Sequence, residues 1–402
     1  LQDSNVRTKT KSLFGEFYFD LSEVTKLTLG LRYDDQSVAN SAIACLTASN
    51  CGTPGNSWLT GTGPSTGTYE RGKNTAARIG IQEDDFLSYK IALQHDLSDD
   101  IMMYLSFATA AKPGGFNPGL ASTSVPFKFG NEESETLDLG FRSILANGAI
   151  LLNMNLYLDN RNGMQVGAIK DTSAINWNVD AEIMGFEGNM VAFLSETTRL
   201  DLNWLLSDSE ILDSSDDLID PLNVANASSV AAYLGPVGGT TGAVTAAVMD
   251  NGTTVYKSAG FVCLAFAAPL SGLPCTNDGV AQDVSGGRVP AQANTSYSLA
   301  LTQTINLPNS TIDVRLSKKY VGQMYADIWN TKRSNISGRA NTDLLVSYKP
   351  NANEWYVNFF VKNVDNSRDI FYLRAGSNFQ GGNLYGSITE PRTVGVQFGT
   401  KF

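Results

Sequence analysis

The chain has 402 residues, of which 42% are apolar and only 17% charged, with 37 glycines and a formal net charge of −11. No stretch approaches the ~20 uninterrupted apolar residues of a spanning helix, and the acidic balance argues against nucleic acid as a partner. The length exceeds one ordinary small domain and suits a large closed β architecture.

Read in chain order, segments with apolar residues at every second position recur in pairs. Thr8–Leu21 carries Leu13, Phe17 and Phe19 on one face. After the turn Ser22-Glu23-Val24, Leu27, Leu29, Leu31 and Tyr33 alternate with Lys26, Thr28, Gly30 and Arg32. Beyond a long polar loop, Tyr89, Ile91 and Leu93 lead through Ser98-Asp99-Asp100 to Met103, Leu105 and Phe107. Leu137, Leu139 and Phe141 then lead through Ala146-Asn147-Gly148, whose Asn-Gly pair is a strong hairpin signal, to Ile150, Leu152, Met154, Leu156 and Leu158.

A less regular strand is predicted over Asp180–Leu194, answered by Leu200, Leu202, Trp204 and Leu206. After the longest loop, 207–287, come Tyr297, Leu299 and Leu301, and then Ile312, Val314 and Leu316. Leu344, Val346 and Tyr348 precede Trp355, Val357, Phe359 and Val361. The final strand shows Val394, Val396, Phe398, Thr400 and Phe402 on one face.

About thirteen strands result, each near the ~10 residues that cross a bilayer at a tilt. Short turns alternate with long loops throughout, as in an up-and-down transmembrane β-barrel with its apolar face to lipid and its polar face to a wet lumen. A soluble sandwich is the alternative. Phe17, Phe19, Tyr33, Tyr104, Trp204 and Trp355 are candidates for interfacial aromatic girdles.

The four cysteines form two local pairs in loop-like stretches, Cys45 with Cys51 and Cys263 with Cys275. This pattern suggests disulfides and an oxidising compartment, with free thiols the alternative. The single histidine, His95, supports neither a metal site with these cysteines nor a Ser-His-Asp arrangement. The acidic run Asp208, Glu210, Asp213, Asp216, Asp217 and Asp220 misses the calcium-loop spacing and reads as a solvated loop. No catalytic residue, cofactor site or metal site is expected.

At Tyr104-Leu-Ser-Phe-Ala-Thr-Ala-Ala-Lys-Pro-Gly-Gly-Phe-Asn117 the chain resembles TonB-dependent outer-membrane receptors, with Ala110-Ala111 in place of the family's Gly-Phe. Further segments resemble the family in its own order: Glu132–Ser143, Tyr157–Val166, Gly185-Phe186-Glu187, Trp355–Asn366 and Pro391–Phe402.

The resemblance implies a 22-stranded barrel plugged by an amino-terminal domain. Counting back from the last strand places Leu1 just before about the tenth, so 1–402 is expected to be the carboxy-terminal part of such a barrel, without plug, TonB box or early strands. It implies active uptake of a scarce solute across the bacterial outer membrane, with an iron–siderophore complex as the favoured cargo. Energy would arrive from the TonB–ExbB–ExbD complex through the plug. A passive porin-like channel, or uptake of a glycan, haem or cobalamin, is the alternative.

Candidate ligand residues on the extracellular side are Lys112, Phe116, Asn117, Trp177, Tyr325, Trp329, Arg333, Tyr372, Arg374 and Phe379. Aromatic rings there offer stacking surface, and cations suit an anionic chelate. Phe398 and the terminal Phe402 resemble the signal read by the outer-membrane barrel assembly machinery.

Overall fold

A computed structural model of the chain describes residues 2–44, 78–117, 127–170, 173–214, 219–220, 227–233, 244–249, 254–258, 280–281, 283–332, 334–351, 355–375 and 384–400. Thirteen strands form one antiparallel sheet in sequence order. They are β1 (Gln2–Ser22), β2 (Thr25–Ala44), β3 (Arg78–Ser98), β4 (Ile101–Lys112) and β5 (Glu132–Leu145), then β6 (Ile150–Lys170), β7 (Ser173–Ser195), β8 (Thr198–Ser214) and β9 (Thr295–Leu307), and finally β10 (Ser310–Val321), β11 (Arg339–Pro350), β12 (Trp355–Lys362) and β13 (Thr393–Thr400). The cysteine pairs and Phe402 lie outside the described residues, as do Asp216 and Asp217.

Register aligns the alternation of every strand with that of its neighbours. Phe19, Leu27, Leu93, Leu105, Leu139, Leu156 and Phe186 follow one another across the ladders from β1 to β7. Leu200, Leu301, Leu316, Leu344, Val361 and Val394 do the same from β8 to β13. The sheet therefore has one continuous apolar face, whose large side chains are exposed (Leu139 43%, Leu316 50%, Phe398 67%). Such a surface far exceeds what a water-soluble monomer leaves uncovered. It is the face of a barrel wall turned to lipid.

Two aromatic rows bound this face. Trp204 pairs with Tyr297, which stacks on Tyr320 with centroids 5.3 Å apart. Toward the other border Trp355 lies 5.7 Å from Tyr348 and 6.1 Å from Phe398. Tyr348 pairs with Ile312. From Ile312 to Tyr320 the strand rises roughly 26 Å at ~3.3 Å per residue, matching an apolar band ~25 Å tall. Phe17, Phe19 and Tyr33 share the apolar face as expected. Tyr104 does not, because it is one residue out of phase with Met103 and Leu105 and so stands on the polar face.

Connections at one end of the sheet are short. At the hairpin between β5 and β6, Ala146 and Asn147 take φ of +52° and Gly148 +89°, the left-handed conformation that Asn-Gly favours. His95 stands at this end, its Nδ1 2.9 Å from the Thr25 hydroxyl. Long connections occupy the other end, with one exception. The alternation of short turns and long loops predicts a long loop between Asp159 and Asp180. Instead β6 and β7 continue as a paired hairpin that reaches Lys170 and Ser173. Beyond the lipid level the ladder still forms and still alternates, but its apolar residues Ile175, Trp177, Val179 and Ala181 stand on the side that is polar below, so the hydrophobic phase is inverted while the pairing persists. The register slips between Arg161 and Met164, where Gly163 takes φ of +65°.

The polar face carries hydrogen-bonded networks. Arg199 and Arg315 both bind the Asp201 carboxylate. Lys349 donates to Asp313 at 2.9 Å and Lys90 to Glu16 at 3.3 Å. Arg142 Nη2 donates to Tyr104 Oη at 3.2 Å. Strands β1 and β13 are the sheet's edges, and both run from the loop end to the short-turn end.

Candidate functional site: the loop end

Above the apolar band, the β6–β7 hairpin turns Ile175, Trp177, Val179 and Ala181 to the same side as the polar face below. They pack with Met164 and Val166, with Ile211 from the end of β8, and with Val284 and Ile328 from the connecting segments; Val289 and Trp329 lie against the cluster. This is the one cluster of buried apolar side chains recorded among the described residues. Backbone bonds fasten the cover. Ile211 N donates to Gly287 O and Gly286 N to Ile211 O, each at 2.8 Å. The Asn330 side chain accepts from Arg288 N and donates back to Arg288 O. Arg288 also reaches Asp208 at 2.8 Å, so the first carboxylate of the acidic run is an ion-pair partner.

The connection after β4 is tied to the same hairpin by amide side chains. Asn117, fully buried, accepts from Asn176 N at 2.7 Å and donates to Asn176 O at 2.9 Å, copying a strand ladder. Asn178 likewise bonds the backbone of Gly130, Asn131 and Gly163. Phe116 rests on Phe127 with centroids 5.0 Å apart, and the Lys128 ammonium lies 5.5 Å over its ring. Lys112 is exposed and pairs with Glu132 at 3.6 Å, which Arg161 also approaches at 3.5 Å.

Of the residues that the sequence singles out, Asn117 and Trp177 are thus covered by protein. Trp329 is half-buried against the apolar cluster, and Tyr325 is half-buried in a short pairing with Asn335. Tyr372 and Arg374 stand exposed on a separate hairpin between β12 and β13, formed by 370–375 and 384–388. Arg333 and Phe379 lie outside the described residues. Sequence reading misses Tyr385, 51% exposed and directly opposite Arg374, because only the hairpin register brings the two together. It also misses Arg288, whose role depends on a partner eighty positions earlier.

The chain matches the family model for the TonB dependent receptor-like β-barrel over residues 1–366. It resembles the ferric yersiniabactin uptake receptor FyuA from Yersinia pestis, with a TM-score of 0.64 and 14% identity, over 99% of this chain and 46% of that one. The siderophore receptor PiuA from Acinetobacter baumannii aligns with a TM-score of 0.60 and 15% identity, over 98% of this chain and 43% of that one. The copper transporter OprC gives 0.58 and 14%, over 99% and 48%. No curated protein sequence matches the chain. It spans about half the length of these solved structures. Fold and polarity define a transmembrane β-barrel wall. The chain belongs to the TonB-dependent receptor β-barrel family, whose members are integral to the outer membrane.

Proposed function

We propose that this chain is the carboxy-terminal barrel wall of an outer-membrane transporter that takes up a scarce solute, an iron–siderophore complex, with energy from the TonB–ExbB–ExbD complex. The observation that carries this reading is a family barrel sheet whose wet face is lined with hydrogen-bonded polar side chains and whose loop end displays aromatic and cationic groups. Of the solved structures it resembles, one is by name a ferric yersiniabactin uptake receptor and another a siderophore receptor.

Plug and early strands belong, in this reading, to sequence outside these residues. Because β1 and β13 run in the same direction, an all-antiparallel closure needs an odd number of further strands between them. TonB acts on the plug, and the wall itself performs no chemistry. Lys112, Phe116, Tyr325, Trp329, Tyr372 and Arg374 are the proposed ligand contacts, together with Arg333 and Phe379; Asn117 and Trp177 would act by holding the loops that present them. Phe398 and Phe402 are read by the barrel assembly machinery.

The test is uptake of radiolabelled iron(III) chelates by cells carrying the full-length gene, with and without TonB. TonB-dependent accumulation is expected. Uptake indifferent to TonB would favour a passive channel, and the absence of uptake for every iron chelate would remove iron as the cargo.

A further inference from the structure

The wall parts at the loop end between β3 and β4. Their ladder stops at the pair Lys90–Ala108. Yet β3 stays paired with β2 as far as Arg78, and β4 with β5 as far as Lys112. Among the described residues, each of the two strands therefore has a neighbour on one side only above Lys90. Two sheet edges face each other there across a recess of about 170 Å³. On β3 the outward row passes from Ile91, Tyr89 and Leu87 to Asp85 and Glu83, so the parting begins at the upper border of the apolar band.

Two side chains stand in for the missing ladder and show which way the β3 edge points. Tyr89 N donates to the Thr109 hydroxyl at 3.0 Å, where a strand would offer a carbonyl. Nearer the top of β3, the Lys128 ammonium donates to Ile81 O at 3.0 Å. In an antiparallel ladder the N–H and C=O of one residue point to the same side, and alternate residues share that side. Glu83, Asp85 and Leu87 lie between Ile81 and Tyr89 in the same phase, so their backbone groups are aimed into the recess. Such a row is a template for one more strand.

Both borders of the recess are acidic. Glu83 and Asp85 on β3, and Glu133 and Glu135 on β5, stand on the outward face and are exposed. Among the described residues none of the four makes an ion pair. The cations nearby are engaged elsewhere, Lys128 with the Ile81 carbonyl, Lys11 with Asp35 and Lys112 with Glu132. On β4 the residues opposite Glu135 and Glu133 are the small Thr109 and Ala111, over which a long side chain can reach.

We propose that the β3 edge from Glu83 to Leu87 receives an extended cationic peptide, which adds a strand to the wall between β3 and β4. Main-chain hydrogen bonds to the edge supply the affinity, and pairing of alternate side chains supplies the specificity. A strand has a period of two, and residues paired across a ladder share a face. Every second residue of the peptide therefore stands outward, opposite Glu83, Asp85 and Leu87. Lysine or arginine at those positions meets Glu83 and Asp85 on one side and reaches over Thr109 and Ala111 to Glu135 and Glu133 on the other. An acidic peptide meets like charge on both sides. The inference depends neither on the cargo nor on TonB.

The experiment uses the full-length receptor in nanodiscs of zwitterionic phosphatidylcholine, with empty nanodiscs as background. The probe is a fluorescent octapeptide of alternating lysine and threonine, its binding followed by anisotropy. A second peptide is N-methylated at each lysine, which blocks the N–H groups that would pair with Glu83, Asp85 and Leu87. A third carries glutamate in place of lysine. The lysine peptide is expected to bind saturably and the glutamate peptide not at all. N-methylation should weaken binding about tenfold or more, because edge carbonyls then lose their donors. Glu133→Gln/Glu135→Gln should weaken it roughly fivefold, as the loss of two exposed ion pairs does. No binding of the lysine peptide, as an edge already covered by the receptor's own chain would give, overturns the proposal. Equal binding of the N-methylated peptide overturns it too, since charge attraction would then act without an added strand. So does equal binding by the double variant, which would put the peptide elsewhere on the receptor.

Discussion

Tyr157 lies flat across the backbone of Gly185, its cross-strand partner, so that a Cβ at position 185 would sit 2.4 Å from the phenol ring. Tyr104 covers Gly140 in the same way on the neighbouring pair of strands. In both cases an aromatic ring shields a bare stretch of ladder on the wet face, and the absence of a side chain lets it lie close. Gly185→Val should therefore displace the ring and destabilise the folded barrel by about 1–3 kcal/mol, as overpacking does. Denaturant unfolding in detergent or lipid checks this; an unchanged midpoint would mean that the contact carries no weight.

The Asp201 bracket makes a second prediction. Asp201→Asn leaves Arg199 and Arg315 facing each other without a shared anion. Both arginines are well exposed to the lumen, so solvent screens the repulsion and the loss is limited to about 1–2 kcal/mol. The loss should shrink in high salt, which a salt series of unfolding midpoints would reveal.

At the loop end, cavity and hydrogen-bond arguments separate. Ile175→Ala or Ile211→Ala empties a fully buried site, at a cost of about 2–5 kcal/mol to the cover segment. Both residues stand in the loop-end extension of the ladder, above the lipid-facing band, so the expected phenotype is faster protease cleavage within 283–332 on intact cells, with unfolding of the lipid-facing strands little changed. Trp177→Phe is different. Its indole N–H is buried without an acceptor, so removing it relieves an unsatisfied donor and should leave the cover as stable as before or slightly more so.

The lipid-facing assignment is tested on the apolar row itself. Leu139 occupies its middle, flanked by Leu105 and Leu156. Leu139→Lys should reduce stability in bilayers by about 2–4 kcal/mol and lower the yield of folded receptor in the outer membrane. The same change at Asn155, on the opposite face, should be tolerated far better.

The barrel strands were legible because lipid on one side and water on the other enforce a period of two, and all thirteen appear in the order that the alternation predicts. What escaped is what lies beyond the lipid. The β6–β7 extension keeps a period of two, but its apolar side chains stand on the side that is polar below and its bulge at 161–164 shifts the phase on β6, so the pattern does not continue that of the lipid-facing strands. The phase of Tyr104 is legible in the sequence, one residue out of step with Met103 and Leu105, and it outweighs the position of Tyr104 near a strand end. The wet-face charges were present in the sequence, yet their grouping was not. Arg199 and Arg315 meet at Asp201 only because β9 lies between β8 and β10 with Leu200 opposite Leu301. The sequence signal reports which residues alternate, while the site depends on which strands are adjacent and in what register.

Uptake through the loop end requires an orientation with Tyr372 and the long connections outside the cell and the Ser98–Ile101 turn in the periplasm. Tyr372→Cys and Asp99→Cys, made singly in the full-length receptor, would be exposed to a membrane-impermeant maleimide on intact cells, with the unsubstituted protein as background. Labelling at 372 in intact cells, and at 99 only after the outer membrane is permeabilised, is the predicted result. Labelling at 99 in intact cells with 372 protected would contradict the orientation, and with it the uptake route built on the loop end.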